Sequence, residues 1–468
     1  MRSAGRWGIL IAIVAVLTCA APASADTTKV ITGHIASDRP DWLYVPVQVP
    51  AGTRQISVHY SYNKVSGNAL DIGIFDSDGI GLGNDAGFRG WSGGARDSFT
   101  ISAADATPGY RPGPIEPGTW NIILGPYQVA AAGIDYRIDV TLTSGPTGPR
   151  FQPHPSRSSV PGTGRGWYRG DLHLHSVHSD GQYTQDNLAD GAKAAGLDYY
   201  VSTEHNTPTA NSVLGLYRRP GLLAIPGEEV TTRGGHWGAI GLPPGAWIDW
   251  RYRPEDGVFP FFTAQVHHYG GLAIANHPFC PLKGCLWTFG YDDVDLIEVW
   301  NGPWTSYDDE RTLQGWDADL RAGIFHPIVG ASDAHRVPDK IGLPQTVVRA
   351  RTLSRDRVLA GLRAGRSYVA ESSAVSLFTR AKAGLRSAGI GRTLRVGGRQ
   401  AFLRLRILGA PGTTATFHTQ SGQIATATIG SANVKVRIPI PAGSKWIRTE
   451  VRRPDSSMVA LTNPIFLR

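Results

Sequence analysis

The sequence predicts a multidomain protein: a β-sandwich, then a parallel sheet or barrel with helices outside it, then a second small β-sandwich. Three observations predict it. The chain has 468 residues, too many for one compact core and enough for about three domains. Both ends carry short stretches with the two-residue period of half-buried strands, separated by Gly, Pro and Asp turns. The middle repeats a different unit, a short helix closed by glycine and followed by an apolar strand. With 57 Gly, 32 Pro and only 18% charged residues, the composition is that of a strand- and turn-rich chain.

The elements follow in order. Arg2 and Arg6, the apolar run Gly8–Cys19 and the small residues Ala23-Ser24-Ala25 form a Sec-type signal peptide over 1–25, with cleavage expected after Ala25. The apolar run is short for a membrane span, and Val16-Leu17-Thr18-Cys19 fits a lipoprotein site poorly. The expectation is a secreted or cell-envelope protein with no transmembrane segment after cleavage. Residues 26–145 predict the first sandwich, with strands over 56–62, 69–75, 119–124 and 136–142. Asp76-Ser77-Asp78-Gly79 reads as a hairpin turn, since a calcium loop would need a later bidentate acid. Residues 146–165 have the Pro, Gly and Ser content of a linker. Within 166–372, helices are predicted over 187–196, 263–269 and 355–364, and strands over 197–203 and 271–275. Residues 373–468 predict the second sandwich, with strands over 401–408, 413–419, 433–439 and 446–451 and no catalytic pattern.

The formal net charge is +8, two lower without Arg2 and Arg6. No dense Lys/Arg block is interleaved with aromatics, so nucleic acid enters only as a substrate. A basic exterior suits anionic substrates or an anionic envelope. Export would leave two cysteines, Cys280 and Cys285, flanking a four-residue loop. In an oxidising compartment such a pair predicts a disulfide; zinc ligation is the alternative, and it lacks a second cysteine pair.

Five segments in the middle domain carry the chemistry: Asp171-Leu-His173-Leu-His175 with Ser179-Asp180-Gly181, Thr203-Glu204-His205-Asn206, Gly227-Glu228-Glu229 with Gly235-His236, Ala275-Asn276-His277-Pro278, and Ala331-Ser332-Asp333-Ala334-His335. Most follow a branched or apolar run and precede a loop, which is how a ligand at a strand end is built. In a barrel such ends converge. On an extended strand the side chains of His173 and His175 point the same way, so two imidazoles can meet one cation. Asp333-x-His335 repeats that spacing. Nine residues are candidate metal ligands: His173, His175, Asp180, His205, Glu229, His236, His277, Asp333 and His335. A lone histidine is more often structural, but the set supplies mixed N/O ligation for two or three divalent ions, Zn, Mn or Fe.

These segments, in this order, resemble the polymerase and histidinol phosphatase (PHP) family of metal-dependent hydrolases, over about 166–370. An exported domain of this kind behind a β-sandwich looks most like the CehA/McbA-type branch. The resemblance implies a distorted (β/α)7 PHP barrel, flanked here by the two β-sandwiches, with a trinuclear site. His173, His175, Glu229 and Asp333 would hold one metal. Glu229, His236 and His277 would hold a second, with Glu229 bridging. Asp180, His205 and His335 would hold a third. Family members often carry Asp where this chain has Glu204. Either Glu228 or Glu229 could bridge, and the Gly-x-Glu spacing favours Glu229.

The implied activity is that of an exported metal-dependent phosphoesterase, with a metal-bridging hydroxide as nucleophile and Glu229, His335 and Arg336 as the catalytic set. His335 could instead protonate the leaving group. Arg233 or Arg336 could hold the substrate anion. Trp237, Trp300 and Trp304 are candidates for an aromatic pocket wall, with core packing the more common fate of Trp. Glu298 and Asn301 are candidates for orienting ligands. Two alternatives remain in view: hydrolysis of a carbamate or carboxylic ester, and a non-catalytic envelope or glycan-binding protein.

Overall fold

The computed structural model describes residues 26–64 and 67–468; the expected signal peptide lies outside the described residues. Two four-stranded antiparallel sheets open the structure. One runs in the order Thr27–Ile35, Ile134–Ser144, Thr53–Tyr62, Ser98–Ser102, and the other in the order Leu43–Val49, Gly118–Gln128, Ala69–Phe75, Phe88–Gly93. Alternate residues point inward, and Ile56, Val58, Ile72, Ile74, Trp120, Ile122 and Val140 form the core between the sheets. Asp76 accepts the Asp78 amide at 2.9 Å and pairs with Arg89 at 3.3 Å, so its motif is a turn held by its own side chain.

Residues 150–164 carry no helix or strand, yet they are tied to both neighbours. Phe151 N–H donates to Ala103, His154 to Ser212 and Val160 to Leu353.

The middle of the chain supplies nine strands of one curled sheet: β1 (Gly166–Asp171), β2 (Tyr199–Ser202), β3 (Leu223–Thr232), β4 (Gly235–Ile240), β5 (Leu272–Ala275), β6 (Leu296–Asn301), β7 (Ile328–Ala331), β8 (Gln345–Ala350) and β9 (Ser367–Ala370). Their order is β7-β6-β5-β4-β3-β2-β1-β8-β9. Just beyond β1 and β7, Leu174 and Ala334 form a parallel bridge, and the Gly330 amide donates to Thr346 Oγ1 at 2.9 Å. These links bring the first and last strands of the series together.

Among the described residues there are four α-helices: α1 (Gln185–Ala194), α2 (Phe259–His268), α3 (Asp309–Ala322) and α4 (Arg355–Arg363). This departs from a regular (β/α)7 barrel. β1, β2 and β3 are parallel, as are β5, β6 and β7, but β4 is antiparallel to both neighbours and β8 to β1. The reason is local: β3 and β4 are joined through Arg233-Gly234 alone, and a two-residue hairpin leaves no room for a crossover helix. Thr184 caps α1, accepting the Asn187 amide at 3.1 Å. The helix buries Leu188, Ala189 and Ala192 against Leu174 and Ala334, directly behind two of the ligand-bearing segments.

The sheet does not stop at β9. That strand pairs with Met458–Thr462, and the ladder continues through Trp446–Arg452, Thr413–Thr419 and Gly422–Ile429. A separate sheet, in the order Arg386–Gly389, Ser376–Ala383, Ala401–Leu408, Asn433–Ile440, faces it. Leu403, Leu405, Ile407, Phe417, Ile447 and Val451 fill the space between. One layer of the C-terminal sandwich is therefore an extension of the central sheet. Buried Arg448 crosses to α3, donating to Asp317 Oδ1 at 2.8 Å and to Glu450 Oε1 at 2.6 Å.

Candidate metal centre

β1 ends at Asp171, whose buried carboxylate accepts the amides of His173, Ser332 and Gly342 and the Ser332 hydroxyl. Burial pushes its pKa up to about 6 against those hydrogen bonds. Asp171 is thus a tie between the ends of β1 and β7. It holds His173-x-His175 beside Asp333, and the two rings stand 5.0 Å apart.

Glu229, on β3, is the hub. Its Oε1 lies 3.2 Å from His173 Nε2, 3.4 Å from His236 Nδ1 and 3.1 Å from His277 Nε2. Its Oε2 lies 3.4 Å from His175 Nε2 and 2.9 Å from His205 Nδ1. One fully buried carboxylate thus meets five imidazoles. Glu228, its neighbour, faces the other way, as strand alternation requires; it accepts the Ile248 amide at 3.1 Å and touches no histidine of the group.

The other candidates join the same constellation. Asp333 Oδ1 lies 3.3 Å from His173 Nε2 and 3.1 Å from His175 Nε2. Asp180 Oδ1 lies 3.6 Å from His205 Nε2 and 3.4 Å from His335 Nε2. His175, Asp180, His205 and His335 each present a ligand atom within 4.8 Å of one another, as do His173, His175 and Asp333, and His205, Glu229 and His236. All nine predicted ligands are brought together.

The donor set fits divalent cations. His173 Nε2, His175 Nε2, His236 Nε2, Glu229 Oε2 and Asp333 Oδ1 are buried without a hydrogen-bond partner. Several of these atoms lie 3.1 to 3.4 Å apart without hydrogen-bonding geometry, which is the arrangement of lone pairs aimed at common points. Orphaned buried polar atoms are costly; cations would satisfy them together. Two of the candidates also carry left-handed backbone, His277 at φ 27° and Asp333 at φ 50°, strain of a kind that gathers at functional sites.

Charge and burial sort the groups. Burial opposes the Glu229 anion, yet His173, His205 and His236 prevail and hold its pKa well below the carboxylate range. Asp333 is held down in the same way against burial, first by His173. Burial disfavours the His173 cation too, but Asp333, Glu229 and Glu298 outweigh it and raise its pKa well above the usual value. His175 differs: burial, then His335 and His205, push it down to about 3. The carboxylates are therefore ionised and His175 neutral, as ligands must be, whereas His173 would give up a proton on taking a cation.

A surrounding layer fixes these rings. Glu298 accepts the His277 amide at 3.0 Å and lies 3.3 Å from His173 Nδ1. Asn301 donates to Glu298 at 3.2 Å and to Asp333 at 3.3 Å. Glu204 accepts from Ser176 and Ser179 and from Gln185, and so anchors the loop that carries Asp180. Asn276, given no role from sequence, donates to Glu229 Oε1 at 3.1 Å. Because such partners orient ligands, Glu298→Gln is expected to weaken metal affinity by about 10- to 100-fold, read by chelator competition. Unchanged affinity would remove Glu298 from this layer.

The centre opens into a cavity of about 580 Å3. Part of its wall comes from the N-terminal sandwich: Trp42, Asp71, Trp91 and Tyr127. Burial raises the Asp71 pKa to about 6, against Arg233. The three tryptophans singled out from sequence serve elsewhere. Trp237 and Trp300 are core residues, and Trp304 packs on Trp300 at 5.4 Å. The disulfide Cys280–Cys285 is formed, and its loop borders the cavity. Of the two arginines, Arg336 is exposed and does not line the cavity. Arg233 does line it, with its guanidinium between Trp42 and Tyr127, 5.0 and 4.8 Å from the ring centres. The nearest sequence signal for this wall would have been aromatics in the N-terminal strands, which alternation alone assigns to either face.

No family model matches the chain. Over 146 residues it is 29% identical to an uncharacterized protein of Methanocaldococcus jannaschii, covering 28% of this chain and 81% of that protein. Similar solved structures include a two-domain protein of Bacteroides vulgatus described as containing a predicted PHP-like metal-dependent phosphoesterase, with 19% identity, a TM-score of 0.37, and 66% of this chain and 99% of that one covered. A candidate metal-dependent phosphoesterase of Bifidobacterium adolescentis shares 19% identity at a TM-score of 0.30, over 44% of this chain and 96% of that one. An amidohydrolase of Chromobacterium violaceum shares 17% at 0.28, over 37% and 89%. The chain's structural neighbours include proteins described as PHP-like metal-dependent phosphoesterases.

Proposed function

We propose that this protein is an exported metal-dependent hydrolase, a phosphoesterase of PHP type with the CehA/McbA-like arrangement of a sandwich ahead of the catalytic domain. The observation that carries the reading is the Glu229 carboxylate among five imidazoles, with unpartnered lone pairs at its centre. His173, His175, Glu229 and Asp333 would hold one cation, Glu229, His236 and His277 a second, and Asp180, His205 and His335 a third. Bound there, zinc, manganese or iron would supply a water acidic enough to attack near neutral pH and would neutralise charge on the substrate oxygens.

The chain's own residues do the rest. His335 Nδ1 lies 2.8 Å from the Asp333 carbonyl, which fixes a proton on Nδ1 and leaves Nε2, beside Asp180, as the atom free to ligate or to carry a proton to a leaving group. Arg233 binds the substrate's anion. Its guanidinium carbon lies over the Trp42 and Tyr127 rings, Nη2 is buried without a partner, and no carboxylate lies within ion-pair reach among the described residues. Its unpartnered N–H donors suit a phosphate. The role given to Arg336 passes to Arg233. The disulfide and the leader-like residues 1–25 support export.

The test joins metal analysis to an aryl-phosphate and aryl-ester panel. Two or three divalent ions per chain with phosphoester turnover are expected. Turnover of carboxylic or carbamate esters alone would shift the reading to that chemistry. No metal and no hydrolysis would sink both and leave the glycan-binding reading. Arg233→Met should raise KM for the aryl phosphate by about 10- to 100-fold, the loss of a charge-assisted pair, with kcat changed far less. An unchanged KM would remove Arg233 from the substrate site.

A further inference from the structure

A second cavity, of about 570 Å3, lies where the central sheet meets the separate C-terminal sheet, and none of the nine metal-ligand candidates lines it. Seven of its lining residues are arginines, and none is Asp or Glu. Arg349 comes from β8, Arg357 from α4, Arg366 from the approach to β9 and Arg380 from the Ser376–Ala383 strand; Arg165, Arg351 and Arg392 come from adjoining segments. Among the described residues no carboxylate lies within 4.0 Å of any of their guanidinium nitrogens. Acids nearby in sequence are paired elsewhere: Asp356 with Arg355 at 2.9 Å and Glu371 with Arg453 at 2.5 Å.

Like charges gathered in one concavity repel, and the surrounding low-dielectric walls focus their field. A Debye length of about 8 Å in physiological salt screens them incompletely. Two buried polar atoms here also lack partners, Arg366 Nε and Thr379 Oγ1. Some heads are held in place: Arg349 lies over Trp167 at 5.6 Å, and Arg380 Nη1 donates to Ser387 at 3.0 Å. Planar guanidinium forks match the oxygen edges of phosphate and sulfate. The volume lies within the range of about 300–1,000 Å3 usual for small-molecule sites. A single anion would neutralise only a fraction of the charge.

We propose that this cavity binds a compact small molecule bearing several phosphate or sulfate ester groups. It would give the C-terminal layer a binding role separate from the metal centre. The probe is myo-inositol hexasulfate, which chelates divalent metals weakly and is no phosphoester, titrated calorimetrically into the full metal-loaded protein in physiological salt. One site per chain is expected, with an affinity that falls steeply as salt rises. The double variant Arg357→Glu/Arg380→Glu, both exposed positions, should weaken binding about tenfold or more and leave aryl-phosphate turnover unchanged. Arg54→Glu/Arg150→Glu, also exposed and equal in charge change, should bind like the parent. Equal weakening by both pairs would reduce the effect to overall charge and overturn the site. So would undiminished binding in the first pair, absence of one-to-one binding, or competitive inhibition of turnover by the probe.

Discussion

Glu229→Gln is expected to lower bound metal from two or three ions to at most one and to cut aryl-phosphate turnover by about a thousandfold or more. The amide keeps the shape and removes the anion that five imidazoles face. Its neighbour supplies the control. Glu228 is buried facing away from the histidines, accepts the Ile248 amide, and has its pKa pushed upward by burial. Glu228→Gln keeps that acceptor oxygen and should leave metal content and turnover close to the parent's. Elemental analysis and initial rates, with circular dichroism to show that both variants fold, decide the matter. Full metal content in Glu229→Gln, or loss in Glu228→Gln alone, would reverse the assignment of the bridge.

Arg448→Met should destabilise the protein by about 3–5 kcal/mol, the usual effect of removing one partner from a buried ionic group. Arg448 is 3% exposed and joins Asp317 of α3 to Glu450 of the C-terminal layer. The effect should depend on pH. Burial disfavours the Glu450 anion, but Arg448 and Arg452 prevail and bring its pKa down to about 2. A folded-state pKa below the unfolded value means that this contribution is complete above about pH 4.5 and is lost as pH falls toward about 2. The deficit of the variant should therefore be largest near neutrality and shrink through that window. Denaturant unfolding at pH 7 and pH 3 measures it; a deficit under about 1 kcal/mol at pH 7 would show that the network adds little to stability.

The candidate ligands were legible because most are rare polar residues set at or near the end of an apolar run, and that pattern survives without coordinates. The strand periods over 69–75, 401–408 and 413–419 match observed strands residue for residue, since a half-buried strand imprints its alternation on the sequence. The departure from a regular barrel was not legible in the same way. Nothing in Thr232-Arg233-Gly234-Gly235 distinguishes a hairpin from a loop leading to a helix until β4 is seen pairing with β3. The aromatic wall escaped for a related reason. Trp42 and Tyr127 lie more than a hundred residues from Arg233 in sequence, and no local pattern links them to it.

By itself, the sequence determined which residues could bind metal, that their chemistry is mixed nitrogen and oxygen ligation, and that strand-rich segments flank them. These are properties of residue type and local period. Only the tertiary structure decided that Glu229 rather than Glu228 faces the histidines, that Arg233 rather than Arg336 reaches the cavity, and that seven arginines from separate elements share another. The phase of a strand and the meeting of distant strands depend on which faces the whole core buries, and no single segment encodes that.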